Sequence, residues 1–109
     1  RDFVYVKDVV EVMAWFLEHP KVNGIYNVGT GRARTWKDLV QAVFAAVDQP
    51  AQIDYIPMPE ALRDRYQYRT EADIEKLKRA GCPVVFRPLE DAVSDYVRNY
   101  LLKGDPYLE

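Results

Sequence analysis

Arg1-Asp2-Phe3-Val4-Tyr5-Val6-Lys7-Asp8 sets a cation and a carboxylate directly before a short apolar, β-branched run and a second carboxylate directly after it. The run reads as a strand. Beyond it, Val9, Val12, Met13, Phe16 and Leu17 recur at helical spacing, which makes Asp8 the expected N-cap of a first helix. A strand flanked by charges suits the edge of a binding site, and a chain that opens on one is expected to be a piece of a larger protein.

Working outward, Pro20 and Asn23-Gly24 end the first helix, and Ile25-Tyr26-Asn27-Val28 reads as a second strand running into Gly29-Thr30-Gly31. Thr35-Trp36-Lys37-Asp38 has the form of a capping box, with Asp in place of Glu or Gln, ahead of the apolar stripe Leu39, Val40, Val43 and Val47. Ile53-Asp54-Tyr55-Ile56 reads as a third strand. Pro57-Met58-Pro59 then opens a loop that carries Arg63, Asp64, Arg65, Tyr66 and Gln67. Thr70-Glu71-Ala72-Asp73 again has capping-box form, and a helix is expected from Thr70 to Gly81, with Lys76, Lys78 and Arg79 in its last turn. Val84-Val85-Phe86 reads as a brief extended run, and Leu89, Ala92, Val93, Tyr96, Val97, Tyr100 and Leu101 mark a final helix. The closing Leu108-Glu109 reads as vector sequence. Strands alternating with helices predict an α/β fold of about four helices and three or four short strands.

Composition narrows the function classes. The 109 residues are 49% hydrophobic and 13% aromatic, enough for one domain with a core. Fifteen Lys and Arg against 17 Asp and Glu leave a net charge of −2, which argues against nucleic acid or an anionic membrane as partner. One Cys and one His cannot form a disulfide within the chain or a zinc site of usual spacing, so no metal is expected. With no apolar run of transmembrane length and no leader pattern, the reading is a soluble, cytoplasmic protein without membrane contact.

Few residues invite chemistry. Gly29-Thr30-Gly31, after a strand and before a helix, could cradle phosphate with backbone N–H groups, but a dinucleotide fingerprint needs glycine where Arg34 stands. A plain tight turn is the better reading. His19, at the end of the first helix, fits a C-terminal helix cation better than a base, and Cys82 a packed thiol. No nucleophile–base pair is evident, so no catalytic and no cofactor-binding residue is assigned. Arg1, and Arg63 and Arg65 beside Tyr66 and Tyr68, could present planar forks to phosphate or carboxylate. Taken singly each fits a solvated surface charge, and what favours a site is the convergence of Arg and Tyr in irregular chain.

Arg1 to Asp8, Gly24-Ile25-Tyr26-Asn27-Val28-Gly29-Thr30-Gly31 and the Thr70 to Gly81 segment together resemble the C-terminal third of extended short-chain dehydrogenase/reductases that act on nucleotide sugars. Gly29-Thr30-Gly31-Arg32-Ala33, Ile53 to Pro59 and Arg65-Tyr66-Gln67 are most similar to the branch acting on ADP-heptose. The resemblance implies that residues 1–109 are a single C-terminal substrate-binding portion, with the N-terminal NAD(P)-binding Rossmann domain absent. It implies NADP as cofactor, an ADP-heptose-type nucleotide sugar as partner, and a homo-oligomeric parent in lipopolysaccharide precursor synthesis. The reaction implied is epimerisation through transient oxidation at C6. Arg1 matches the substrate-binding arginine at the head of the Arg-Asp-Phe motif, and Tyr66 the substrate-binding tyrosine of the Arg-Tyr-Gln loop. The chain alone is then expected to be inactive. Another nucleotide-sugar epimerase or dehydratase, or a non-catalytic binding or assembly module, remains open.

Overall fold

A computed structural model describes residues 1–104. Five α-helices lie among the described residues: α1 (Val6–Glu18), α2 (Trp36–Ala46), α3 (Glu60–Arg63), α4 (Glu75–Arg79) and α5 (Leu89–Tyr96), which runs on into a π-helical turn at Val97–Leu101. Leu108-Glu109 lies outside the described residues.

The expected α/β fold is not what the chain adopts: no strand occurs among the described residues. A β-branched run becomes a strand only by pairing its backbone with a neighbour and laying its side chains on a packed surface. Those conditions fail here. Val6 is taken into α1, while Ile25, Ile56 and Val85 are more than four-fifths exposed, with no sheet face to cover. Around the second run the bonds come from side chains: Lys76 Nζ donates to the Ile25 carbonyl at 2.7 Å, and Asn27 Nδ2 donates to the Asp73 carbonyl at 3.2 Å.

The first helix also departs from expectation. Tyr5, not Asp8, is its N-cap, and Asp8 lies in the first turn, 1% exposed. Its carboxylate accepts from the Arg87 backbone N–H at 2.8 Å and from the Arg87 guanidinium. Asp8, Val12 and Trp15 form the buried stripe, which leaves Val6, Val10, Met13 and Leu17 on an exposed one. At the helix end His19 stacks on Trp15 with ring centroids 4.6 Å apart, and its Nδ1–H donates to the Trp15 carbonyl at 2.8 Å.

The second helix starts as its residues suggest. Thr35 Oγ1 accepts from the Asp38 N–H while the Asp38 carboxylate accepts from the Thr35 N–H, a complete capping box. Ala42 and Ala46 on this helix, with Leu89, Ala92 and Val97, are buried where α2 packs against α5 and its π-helical turn. Small residues on one side and larger ones on the other let two helices approach closely.

The Thr70 to Gly81 helix shortens to α4 because residues 70–72 bind elsewhere. Thr70 accepts from Arg1, Glu71 accepts from the Ala33 N–H, and the Ala72 N–H donates to Asp2. Asp73 Oδ1 then accepts from the Glu75 N–H at the true start, and Gly81, at φ 90°, provides the left-handed stop. The last helix keeps its expected span, with the π turn as an addition that sets Asn99 Nδ2 2.6 Å from Asp95 Oδ1. Asp95 Oδ2 also accepts from Tyr5 Oη at 2.6 Å and Lys7 Nζ at 2.7 Å, which ties the start of α1 to α5.

The resulting body is a slab of 49 × 39 × 20 Å with a radius of gyration of 16.7 Å, where a compact chain of this length has about 13 Å. Its surface of 8491 Å² likewise exceeds the roughly 6,200 Å² of a compact protein of this mass. The core is thin, and much apolar surface stays outside it.

Candidate functional site

Asp2 organises the ground on which the site stands. Its Oδ1 accepts from the Thr30 N–H at 2.9 Å and from the Thr30 hydroxyl, and its Oδ2 accepts from the N–H groups of Gly31 at 2.9 Å and Ala72 at 3.0 Å. Burial pushes this carboxyl up, but the bonds from the Thr30 hydroxyl and the three amides outweigh it and hold the group below its ordinary range. The amides that could have cradled phosphate are therefore occupied by the protein's own anion. Gly29 is required for this closeness, since a Cβ there would stand 2.6 Å from Ala72 Cβ and 2.8 Å from Asp2 Oδ2.

With Asp2 pinned, its neighbours are placed. Arg1 and Arg34 exchange main-chain bonds: the Arg1 nitrogen donates to the Arg34 carbonyl at 2.6 Å, and the Arg34 N–H donates to the Arg1 carbonyl at 2.8 Å. The Arg34 side chain turns outward to Glu90, with Nη2 to Oε1 at 2.6 Å, and to Asp38, with Nε to Oδ2 at 3.3 Å. That explains an arginine where a dinucleotide fingerprint carries glycine: it links the turn to α2 and α5. The Glu90 hydrogen bond, ahead of that of Asp38, shifts the guanidinium further upward.

Arg1 Nη1 donates to Thr70 Oγ1 at 2.9 Å, and its guanidinium carbon sits 5.0 Å from the centre of the Tyr66 ring. Tyr66 Oη accepts from Trp36 Nε1 at 2.8 Å, and Tyr68 meets the Tyr66 ring edge-on at 5.3 Å. The structure thus brings together Arg1 and Tyr66, 65 positions apart in sequence, at a cavity of about 550 Å³ whose lining includes Trp36, Tyr68 and Arg69. That volume suits a small-molecule site. Three arginines, Arg1, Arg34 and Arg69, and three aromatic rings in its lining can take an anion joined to a planar or sugar ring. Arg63 and Arg65 do not join them; they lie at the end of α3 and just beyond it.

Trp36 and Arg69 were not legible as site residues. The capping box around Trp36 explains its neighbours but says nothing of its ring, and Arg69 follows a motif without being part of one. The Thr30 and Gly31 amides of the glycine-rich turn are taken up by the Asp2 carboxylate. No group of three or more potential metal ligands occurs among the described residues, and no described helix is long and apolar enough to cross a membrane.

Against known proteins, the class comes first: residues 1–29 match the model of the NAD dependent epimerase/dehydratase family. More particularly, the chain is 62% identical over 108 residues to an ADP-L-glycero-D-manno-heptose-6-epimerase of Nitratidesulfovibrio vulgaris strain DP4, covering 99% of this chain and 33% of that protein. It is 48% identical over 114 residues to the enzyme of the same name from Fusobacterium nucleatum subsp. nucleatum, covering 99% and 34%, and 47% identical over 97 residues to that of Alkalilimnicola ehrlichii, covering 89% and 30%. The chain therefore spans about a third of the length of the curated relatives it matches. The resemblance read from the Arg-Asp-Phe, Gly-Thr-Gly and Arg-Tyr-Gln motifs is borne out.

Proposed function

We propose that residues 1–109 are the C-terminal substrate-binding portion of an NADP-dependent ADP-heptose 6-epimerase, which interconverts the D-glycero and L-glycero epimers for lipopolysaccharide core synthesis. The observation that carries this reading is the meeting of Arg1 and Tyr66 at one cavity, stacked and held by Thr70 and Trp36. In this reading Arg1 presents its planar fork to the diphosphate, and Tyr66 offers a hydroxyl to the sugar or the adjoining phosphate. The nicotinamide group, bound by residues outside this chain in an NAD(P)-binding Rossmann domain, supplies hydride removal and return at C6. These residues then hold the nucleotide while the heptose end reaches that domain. The parent is cytoplasmic and homo-oligomeric in the same reading, which follows the resemblance.

The test uses the full-length protein, assayed on ADP-D-glycero-D-manno-heptose and on UDP-hexoses. A charge-assisted hydrogen bond contributes about 1.5–3 kcal/mol, so Arg1→Ala is expected to lower kcat/KM by roughly 10- to 100-fold, chiefly through KM. Turnover of UDP-hexoses in preference would redirect the assignment to another nucleotide-sugar epimerase. Arg1→Ala kinetics equal to the parent's would remove Arg1 from the site.

A further inference from the structure

We infer that Trp36 is a positioning residue that fixes which way the Tyr66 hydroxyl points, making Tyr66 a hydrogen-bond donor into the cavity. The inference rests on the reading of Tyr66 as a substrate contact and adds the residue that sets its polarity. An indole N–H can only donate, whereas a phenol can donate and accept. With Trp36 Nε1 at 2.8 Å, Tyr66 Oη must accept from it, so the phenolic hydrogen cannot turn back toward Trp36. Among the described residues this is the only hydrogen bond of that hydroxyl. Its hydrogen is left for a ligand atom that carries a lone pair, such as a phosphate or sugar oxygen. A ligand group that can only donate, such as an ammonium, meets a donor instead.

The support for the indole is equally specific. Trp36 opens α2 directly after its Thr35 cap, and the ring meets Phe3 edge-on, with centroids 5.0 Å apart and planes at 74°. Phe3 adjoins Asp2, whose carboxylate is held by four donors. Tyr66 itself stands in irregular chain between α3 and α4, where no helix dictates its position. The indole, set against Phe3, therefore aims a hydroxyl that its own segment does not aim.

The experiment is a double-mutant cycle in the full-length protein, with ADP as probe and calorimetric Kd as readout. Tyr66→Phe is expected to weaken ADP by about 5-fold, the size of one neutral hydrogen bond. Trp36→Phe keeps an aromatic ring against Phe3 and is expected to weaken ADP by a similar factor. The double variant should be no weaker than Tyr66→Phe alone, because Trp36→Phe keeps an aromatic ring at the cavity and removes only the hydrogen bond to that hydroxyl. The indole N–H resonance of Trp36 should also shift in ligand-free Tyr66→Phe, a signature that simple packing against Phe3 does not produce. If Tyr66→Phe weakens ADP while Trp36→Phe does not, or if the two losses multiply, the positioning role is overturned. If Tyr66→Phe leaves Kd unchanged, the binding role of Tyr66 fails, and this inference with it. Thermal midpoints of both single variants within the parent's range establish that folding is not the cause.

Discussion

Replacing Asp2 by Asn, the closest isostere, should damage the fold far more than its size suggests. The carboxylate receives four bonds from Thr30, Gly31 and Ala72, split evenly between its two oxygens. An amide has one acceptor oxygen. Whichever way it is turned, its NH₂ faces at least one backbone N–H, and the bonds that survive lose their charge. Exchanging charged for neutral bonds forfeits about 1 kcal/mol each, and one orphaned donor adds about 1–3 kcal/mol. Water reaching this half-buried group offsets part of that, so a loss of about 3 kcal/mol is expected. Urea unfolding followed by Trp15 and Trp36 fluorescence reads it as a midpoint shift of about 1–3 M, for m of 1–3 kcal/mol/M. The sign with pH is set by the depressed pKa of Asp2: its stabilisation is full above the ordinary value of 3.8 and fades as pH falls below it through the folded value. The gap between parent and Asp2→Asn should therefore close in acid. Asp38, Glu71, Glu90 and Asp95 are also held low and weaken both proteins together, so the difference isolates Asp2. A variant as stable as the parent at neutral pH, or a gap that does not change below pH 3.8, would refute the role given to this carboxylate.

Tyr5 and Arg87 give two more outcomes. Burial, reinforced by the hydrogen bond to Asp95, pushes the Tyr5 phenol from 10.0 up to about 12, so its contribution is complete below pH 10 and lost as pH rises through 12. Phenolate absorbance should show one of the eight tyrosines ionising late, an effect absent in Tyr5→Phe; eight superimposed titrations would contradict it. Arg87→Met strands the buried Asp8 carboxylate, so it should lower the thermal midpoint more than Asp8→Asn does, and adding Asp8→Asn to Arg87→Met should raise the midpoint again. Two losses that simply add would mean the pair is not coupled.

What could be read in advance was local. The capping box at Thr35 and Asp38 and the glycine stop at Gly81 depend on neighbours within a few positions, and both are present. Spacing alone placed the last helix, though not the buried side of α1, where Met13 and Leu17 face outward and Asp8 inward. Strands depend on a partner that a β-branched run does not name, and Ile25 to Val28 has none among the described residues. The same limit misled the reading of Thr70 to Asp73. A capping-box pattern is four residues whose side chains could serve the local backbone, but Arg1, Asp2 and Ala33 compete for those groups, and the long-range partners win.

That competition also bears on the site. Gly29-Thr30-Gly31 has the amides of an anion nest, and Asp2 supplies the anion from within the same motif that carries Arg1. An internal carboxylate there fixes the motif's backbone and repels an incoming phosphate, so in the proposed function the anionic ligand falls to side chains outside the turn. Arg1, one residue before Asp2, is the side chain proposed for that role. Its guanidinium meets Thr70, two residues before the Ala72 amide that Asp2 holds. One carboxylate thereby ties the segment that carries Arg1 to the one that follows Tyr66 in the proposed site. For that reason Asp2→Asn should weaken ligand binding in the full-length protein even under conditions where it remains folded.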